Sequence, residues 1–343
     1  MRFDYVEIGG NDMKGNTPKK ILFIQSGIPF YYPMIEAAIL NSLQKVNSDT
    51  SMVSPEKAIK TALKMRPDFI LVLSGLSEEF YHIMPFLKKA GFTTGLWLTD
   101  DPYYTDVTQN LVPYYDYIFT QDLNCIKFYR GLGCKNVFHL PLAANQDVFK
   151  PSQKEDTYKY DLSFIGTAFE NRINFVDSIS EYLAEKNTKI VGFGWEKLKN
   201  YERLKDKIQL LPLAKYEDAL QFYVSTKINI NLHRSLIDQE LNCNSANIQA
   251  YSVNNRTFEI NAVGSFQLTD IRPDVAKHYI PGVEIETFNS ASEFIQKAEY
   301  YLEHVQERKR IAEKGLDRTL KYHTYDKRII QLLNYINLRG MKM

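Results

Sequence analysis

Short apolar runs recur along the chain with helical stretches between them. From Lys20 to about Ala144 the runs are ILFIQ, DFILVLSG, TGLWLTD, YDYIFTQD and NVFHLPLA, rich in the β-branched and aromatic residues that suit strands. Between them, apolar residues fall at helical spacing from Pro33 to Val46, Pro55 to Met65, Glu78 to Ala90 and Leu123 to Gly131. Two of these stretches open on proline, which the first helical turn accommodates. Near-continuous apolar strands alternating with helices predict right-handed βαβ units and a mainly parallel sheet covered on both faces. A polar, proline-containing run, NQDVFKPSQKEDTYKYD, reads as a linker, and the boundary is placed near Pro151. The pattern then repeats through DLSFIGTA, TKIVGFG, KIQLLPL, KININ, SFQLTD and EIETF. After Ser290 the chain reads as helical, and YDKRIIQLLNYINL carries apolar residues at i, i+3, i+4, i+7 spacing. The expectation is an α/β protein with domains over residues 1–150 and 151–324 and a terminal helix over 325–343. Ligands of such domains bind at the carboxyl ends of the strands, here in a cleft expected between the two.

Composition narrows the function classes. At 343 residues, 44% hydrophobic and 24% charged, the chain can bury two cores. Lys plus Arg number 42 and Asp plus Glu 41, a net charge of +1, so no global field argues for nucleic acid or an anionic membrane. Cys125, Cys134 and Cys243 are scattered and odd in number, against a disulfide framework or a structural zinc site and in favour of a reducing cytoplasm. There is no run of about 18 apolar residues, and the opening MRFDYVEIGGNDMKGN lacks the apolar core of a secretory signal. Gly9 to Lys20 reads as a loose leader or a loop.

The common catalytic fingerprints are missing. ILFIQSGIPFYYP has one glycine, Gly27, and no GxGxxG; GxxxxGK[ST], HExxH and GxSxG do not occur. Candidate chemistry therefore lies at strand ends, and NNRTFEINAVGSFQLTD (Asn254–Asp270) is the richest stretch. An Asn pair caps a helix that Gly264 ends, and Asn255, Arg256 and Glu259 share one of its turns. Helix-start amides and Arg256 suit a phosphate, and a carboxylate one turn on suits two ribose hydroxyls, the groups a sugar nucleotide offers. The alternative is a surface ion pair between Arg256 and Glu259. Gly166 and Thr167 end the first strand of the second series, where small residues let backbone approach a ligand. Arg172 follows within reach of a diphosphate, unless it is merely solvated. KININ runs into His233, which can donate to a phosphate or a sugar hydroxyl, or be a loop histidine with a local partner. Asp100 and Asp101 end TGLWLTDD before Pro102, as a general base or as a turn. Neighbouring strand side chains point opposite ways, so at most one of the pair faces a ligand. His323, Tyr325 and Arg328 in HTYDKR read as a packing motif.

Taken together, FIGTxxxxR, KININxH, NxRTFEIxAxGxFxLTD, PGVEIETF, YYLEH and HTYxxR resemble the C-terminal half of the CgeB-like glycosyltransferases, over about Asp161 to Ile330. WLTDDP and HLPLAANQDVFKP match the N-terminal half loosely. The resemblance implies a GT-B fold, two facing Rossmann-like domains, with the nucleotide sugar held mainly by the second and the final helix crossing back onto the first. It implies that Glu259 binds the donor ribose, that Asn255 and Arg256 lie near the phosphates, and that the base rests on main chain near Leu211 to Leu213. The wider pattern has a second glutamate where Tyr251 stands, so the residue beside the reacting sugar carbon does not carry over. The implied function is transfer of a sugar from a nucleotide-diphosphate donor, a UDP-sugar by preference, to a glycan, protein or envelope or spore precursor. Neither a cofactor nor a metal is implied, and no nucleic-acid partner. A sugar-nucleotide epimerase and a non-catalytic coat or assembly protein are the alternatives.

Overall fold

A computed structural model describes residues 18–29, 32–47, 49–151, 158–210, 216–238 and 241–340. The chain divides into two compact units, Met1–Pro141 with Asp326–Met343, and Leu142–Tyr325. Each contains a six-stranded, all-parallel sheet.

In the first unit the strands are β1 (Ile21–Ile24), β2 (Thr50–Val53), β3 (Phe69–Leu73), β4 (Thr94–Leu98), β5 (Tyr117–Thr120) and β6 (Val137–His139), in the order β2-β1-β3-β4-β5-β6. β1, β3 and β4 are buried along their whole length, which is why ILFI and FILVL are apolar without alternation. The Tyr325–Gly340 helix belongs to this unit. Its Tyr335 ring stacks on Phe138 at 4.5 Å, Arg328 Nε donates to the Pro141 carbonyl at 2.9 Å, and Ser42 Oγ donates to Asp326 at 2.7 Å.

The second unit has β7 (Tyr160–Ile165), β8 (Thr188–Val191), β9 (Ile208–Gln209), β10 (Thr226–Asn231), β11 (Gln267–Asp270) and β12 (Glu286–Phe288), in the order β12-β11-β10-β7-β8-β9. It begins at Leu142, earlier than the expected boundary near Pro151. The reason is local. Ala144 N donates to the His323 carbonyl at 3.0 Å, and Phe149 packs on Tyr223 at 6.1 Å, so the apolar residues Leu142–Ala144 and the DVF segment go with the second unit. Of the polar linker, 152–157 lie outside the described residues, as does most of the expected leader.

β10 departs from the all-apolar pattern. Ile228 and Ile230 alternate with Asn229 and Asn231, all four buried. Asn229 Nδ2 donates to the carbonyls of Tyr223 (3.1 Å) and Phe266 (3.2 Å). Asn231 Nδ2 donates to Thr257 Oγ1 and Gln267 Oε1, both at 3.1 Å. Buried amides that find partners this completely fix the register of β10 against its neighbours.

Candidate donor site

The Asn255–Ala262 helix is tied to the sheet at its start and from behind. Asn254 caps it, accepting Thr257 N–H at 3.0 Å, and its own amide donates to Asn231 Oδ1 at 2.9 Å. Behind the helix, Phe258 sits in an aromatic nest with its ring 5.5 Å from His278, 6.1 Å from Tyr279 and 5.0 Å from His323. His323 is fully buried, in keeping with the packing reading of HTYDKR. The helix is therefore held rigidly enough to aim its polar face.

That face carries Asn255, Arg256 and Glu259. Glu259 is buried; Asn255 Nδ2 donates to its Oε1 at 2.6 Å, and the Tyr223 hydroxyl hydrogen-bonds the same carboxylate. Burial first, and then the Glu259 charge, push the Tyr223 phenol well up, so it remains a donor. Among the described residues no ion pair joins Arg256 to Glu259, so the surface-pair alternative does not describe this helix. The Arg256 guanidinium lies instead against Gly166.

Gly166 follows β7 with a φ of +150°, a conformation that favours glycine. A Cβ there would stand 2.6 Å from Arg256 Nη2 and 3.2 Å from Arg172 Nη1. On its other side, Trp195 Nε1 donates to the Gly166 carbonyl at 2.9 Å, and a Cβ on Gly192 would come within 2.1 Å of that oxygen. Two guanidinium groups thus converge on backbone that only glycine allows them to approach.

Arg172 is not solvated. It is buried, with Nε donating to the Leu232 carbonyl (3.0 Å), Nη1 to the Thr167 carbonyl (2.9 Å), and its guanidinium 4.8 Å from the Phe169 ring. It clamps the ends of β7 and β10 together while contributing positive charge beside Gly166. Leu213 and the rest of 211–215, expected to hold the base, lie outside the described residues.

His233 is buried just past β10. Its backbone N–H and ring Nδ1 both meet Asp270 Oδ1, at 2.8 and 2.6 Å. Burial lowers its basicity, so the ring is neutral near pH 7; burial alone would raise Asp270, but the His233 ring and Arg272 hold that carboxyl below the ordinary range. A neutral ring whose hydrogen is committed to a carboxylate has none to give a phosphate, so the expected donation from His233 is corrected.

In the first unit, Asp100 and Asp101 lie past the end of β4, in a bend and the turn that leads into Pro102, and their side chains find different partners. Asp101 points into the core. Thr120 Oγ1 donates to its Oδ2 at 2.5 Å and Tyr129 OH to its Oδ1 at 2.7 Å, and burial pushes its carboxyl up to about 7. A buried carboxyl with both oxygens engaged is a structural element, and the expectation of Asp101 as a base is corrected. Asp100 is half-buried and accepts from Thr99 and Tyr32, the Tyr32 phenol being raised by burial and then by Asp100.

The Asp101 environment predicts a pH effect on stability. Its folded pKa of about 7 lies above its ordinary value of 3.8, so its contribution is complete at acid pH and is lost as pH rises through about 7. Wild type should lose about 2–3 kcal/mol between roughly pH 5 and pH 8 that Asp101→Asn does not lose. Urea denaturation of both proteins at the two pH values checks this; parallel pH profiles would contradict it.

Three contributors were invisible to motif reading: Tyr223, Asp270 and Trp195. The Ile–Asn alternation of KININ was the available signal for a polar ladder under the helix, and the aspartate closing SFQLTD marked a strand-end carboxylate.

Residues 172–334, which include Arg172, His233, Asn255, Arg256 and Glu259, match the model of a family described as glycosyl transferase-like. Spore protein CgeB of Bacillus subtilis (strain 168) is 28% identical over 312 residues, 90% of this chain and 95% of that one. The chain is thus similar to CgeB over most of both lengths, and its residues 172–334 resemble a glycosyl transferase-like domain. Among solved structures, a sucrose-phosphate synthase from Thermosynechococcus elongatus superposes with a TM-score of 0.66 at 9% identity, over 95% of this chain and all (100%) of that one. Anabaena HepE, solved with UDP, superposes with a TM-score of 0.64 at 11% identity, over 92% of this chain and 99% of that one. The chain therefore has the GT-B fold. All three of its cysteines are unpaired; among the described residues, no helix is long and apolar enough to cross a membrane and no group of three or more His, Cys, Asp or Glu is placed to hold a metal ion.

Proposed function

We propose that the protein is a glycosyltransferase that takes a sugar from a nucleotide-diphosphate donor, a UDP-sugar, and passes it to a hydroxyl of a glycan, protein or envelope or spore precursor. The observation that carries this reading is the meeting of Arg256 and Arg172 over Gly166, with the buried carboxylate of Glu259 one turn along the same helix as Arg256. Support also comes from the fold shared with Anabaena HepE, which was solved with UDP and with UDP-glucose.

In transfer, the acceptor oxygen bonds to the anomeric carbon while the bond from that carbon to the diphosphate breaks, leaving its electron pair on a phosphate oxygen. A preorganised guanidinium beside that oxygen stabilises the developing charge, in a role that other enzymes give to a metal. Arg256 is assigned this role, with Arg172 behind it and Asn255 near the phosphates, and Glu259 is assigned to the ribose. Asp100 is the acceptor-side base, receiving the hydroxyl proton. We place the protein in the cytoplasm, where unpaired cysteines persist.

Donor turnover tests the reading. Purified protein incubated with UDP-glucose, UDP-galactose or UDP-N-acetylglucosamine should release UDP, and Asp100→Asn should cut release by about 100-fold or more, the scale of a lost general base, while still binding UDP. An isomerised donor would favour an epimerase, whose fold is also represented among the similar structures by a UDP-N-acetylglucosamine 2-epimerase at a TM-score of 0.51. Binding without product would favour a non-catalytic coat protein.

A further inference from the structure

Beyond the residues assigned to nucleotide and diphosphate, two side-chain atoms at the end of β10 lack partners in a way that specifies a ligand. His233 is 2% exposed, and its Nε2 is buried with no hydrogen-bond partner among the described residues. Asn171, whose side chain bonds the same residue, has a buried Oδ1 in the same condition.

Both atoms are acceptors, and the surroundings fix that parity. Asp270 Oδ1 faces Nδ1 of His233 at 2.6 Å and the His233 backbone N–H at 2.8 Å, so it can accept but has nothing to give. The ring hydrogen therefore sits on Nδ1, and Nε2 presents a lone pair. Asn171 Nδ2 lies 2.8 Å from the His233 carbonyl; turning the amide over would set two oxygens against each other, so Oδ1 is the atom left over. An unmet buried acceptor costs free energy that a matching donor recovers.

Phosphate oxygens are acceptors at neutral pH and cannot satisfy either atom, whereas hydroxyl groups can satisfy both. We propose that His233 Nε2 and Asn171 Oδ1 form a hydroxyl-reading subsite for the transferred sugar, with Asp270 as the positioning residue that sets the histidine tautomer. The subsite rests on the donor reading above and deepens it. Its ligand is a neutral sugar presenting two hydroxyl hydrogens on one side, and a sugar that offers a carboxylate there is rejected.

The test separates the subsite from the nucleotide site. UDP, UDP-glucose and UDP-galactose are titrated calorimetrically into wild type, His233→Leu and His233→Gln. Leucine removes the acceptor at similar volume, and glutamine carries a side-chain oxygen that can restore it. At least one UDP-hexose should bind wild type about tenfold more tightly than UDP, the scale of one to two hydrogen bonds. His233→Leu should erase that margin with UDP affinity within about twofold of wild type, and His233→Gln should recover part of it. Equal loss of UDP and UDP-hexose affinity, or no loss of either, overturns the subsite while leaving the nucleotide site standing. Failure of wild type to bind UDP overturns both. Independently of any variant, the nitrogen-15 spectrum of the histidine ring should show the hydrogen on Nδ1 of His233; a hydrogen on Nε2 overturns the proposal.

Discussion

Glu259→Ala should weaken UDP binding by about 10- to 100-fold, the equivalent of losing a charged hydrogen-bonding group that receives two ribose hydroxyls. The expectation follows from where the carboxylate sits. Glu259 is buried, held by Asn255 at 2.6 Å and by the Tyr223 hydroxyl, on a helix capped by Asn254 and pinned by Phe258. A carboxylate held this firmly spends little entropy when a ligand arrives. Removing it also takes the acceptor from the buried Tyr223 hydroxyl, at a stability cost of about 1–3 kcal/mol. Glu259→Gln separates the two effects. It keeps a neutral acceptor for Tyr223, so its melting temperature should stay close to wild type while UDP binding still falls by about tenfold. Normal UDP affinity in a folded Glu259→Ala protein would remove Glu259 from the site.

Gly166→Ala should act on binding and Gly192→Ala on folding, although the two glycines touch. At Gly166 the new methyl would meet Arg256 Nη2 at 2.6 Å, the far end of a flexible side chain. Arg256 can swing aside, so the stability loss comes mainly from the backbone strain of a non-glycine residue at φ +150°, about 1–3 kcal/mol, with a smaller part from the clamped Arg172 Nη1 at 3.2 Å. The displaced guanidinium no longer meets the diphosphate, and UDP affinity should fall by about 10- to 100-fold, as it should for Arg256→Ala. Because both substitutions remove one interaction, the double variant should be no worse than the weaker single variant. At Gly192 the methyl would meet the Gly166 carbonyl oxygen at 2.1 Å, which is backbone and cannot swing aside. Gly192→Ala should therefore lower the melting temperature by more than any of the others. Calorimetric titration with UDP and thermal melts of the four variants check both statements, and additive losses in the double variant would contradict the geometry.

Much of this architecture is legible in the chain because parallel strands buried on both faces must be apolar throughout. ILFI and FILVL can hardly be read otherwise, and their spacing leaves room for helices. The unit boundary was harder to see. A run of charges draws the eye to Pro151, while the residues that commit to the second core, Ala144 and Phe149, precede it without any polar signal. The candidate site was legible where local spacing decides geometry: Asn255 and Glu259 are one helical turn apart, and they do bond. It was illegible where tertiary placement decides. Nothing local distinguishes Asp100 from Asp101 until burial sends one of them to Thr120 and Tyr129. Nothing in the stripe of the Tyr216–Val224 helix says that Tyr223 ends beside Glu259, and the pairing of His233 with Asp270 needs β10 and β11 side by side.

The most direct test of the central claim is a crystal structure of the protein soaked with UDP. The diphosphate should lie against Gly166 and the Arg256 guanidinium, with the ribose hydroxyls on the Glu259 carboxylate. UDP bound away from all three residues, or no UDP at saturating concentration, would contradict it.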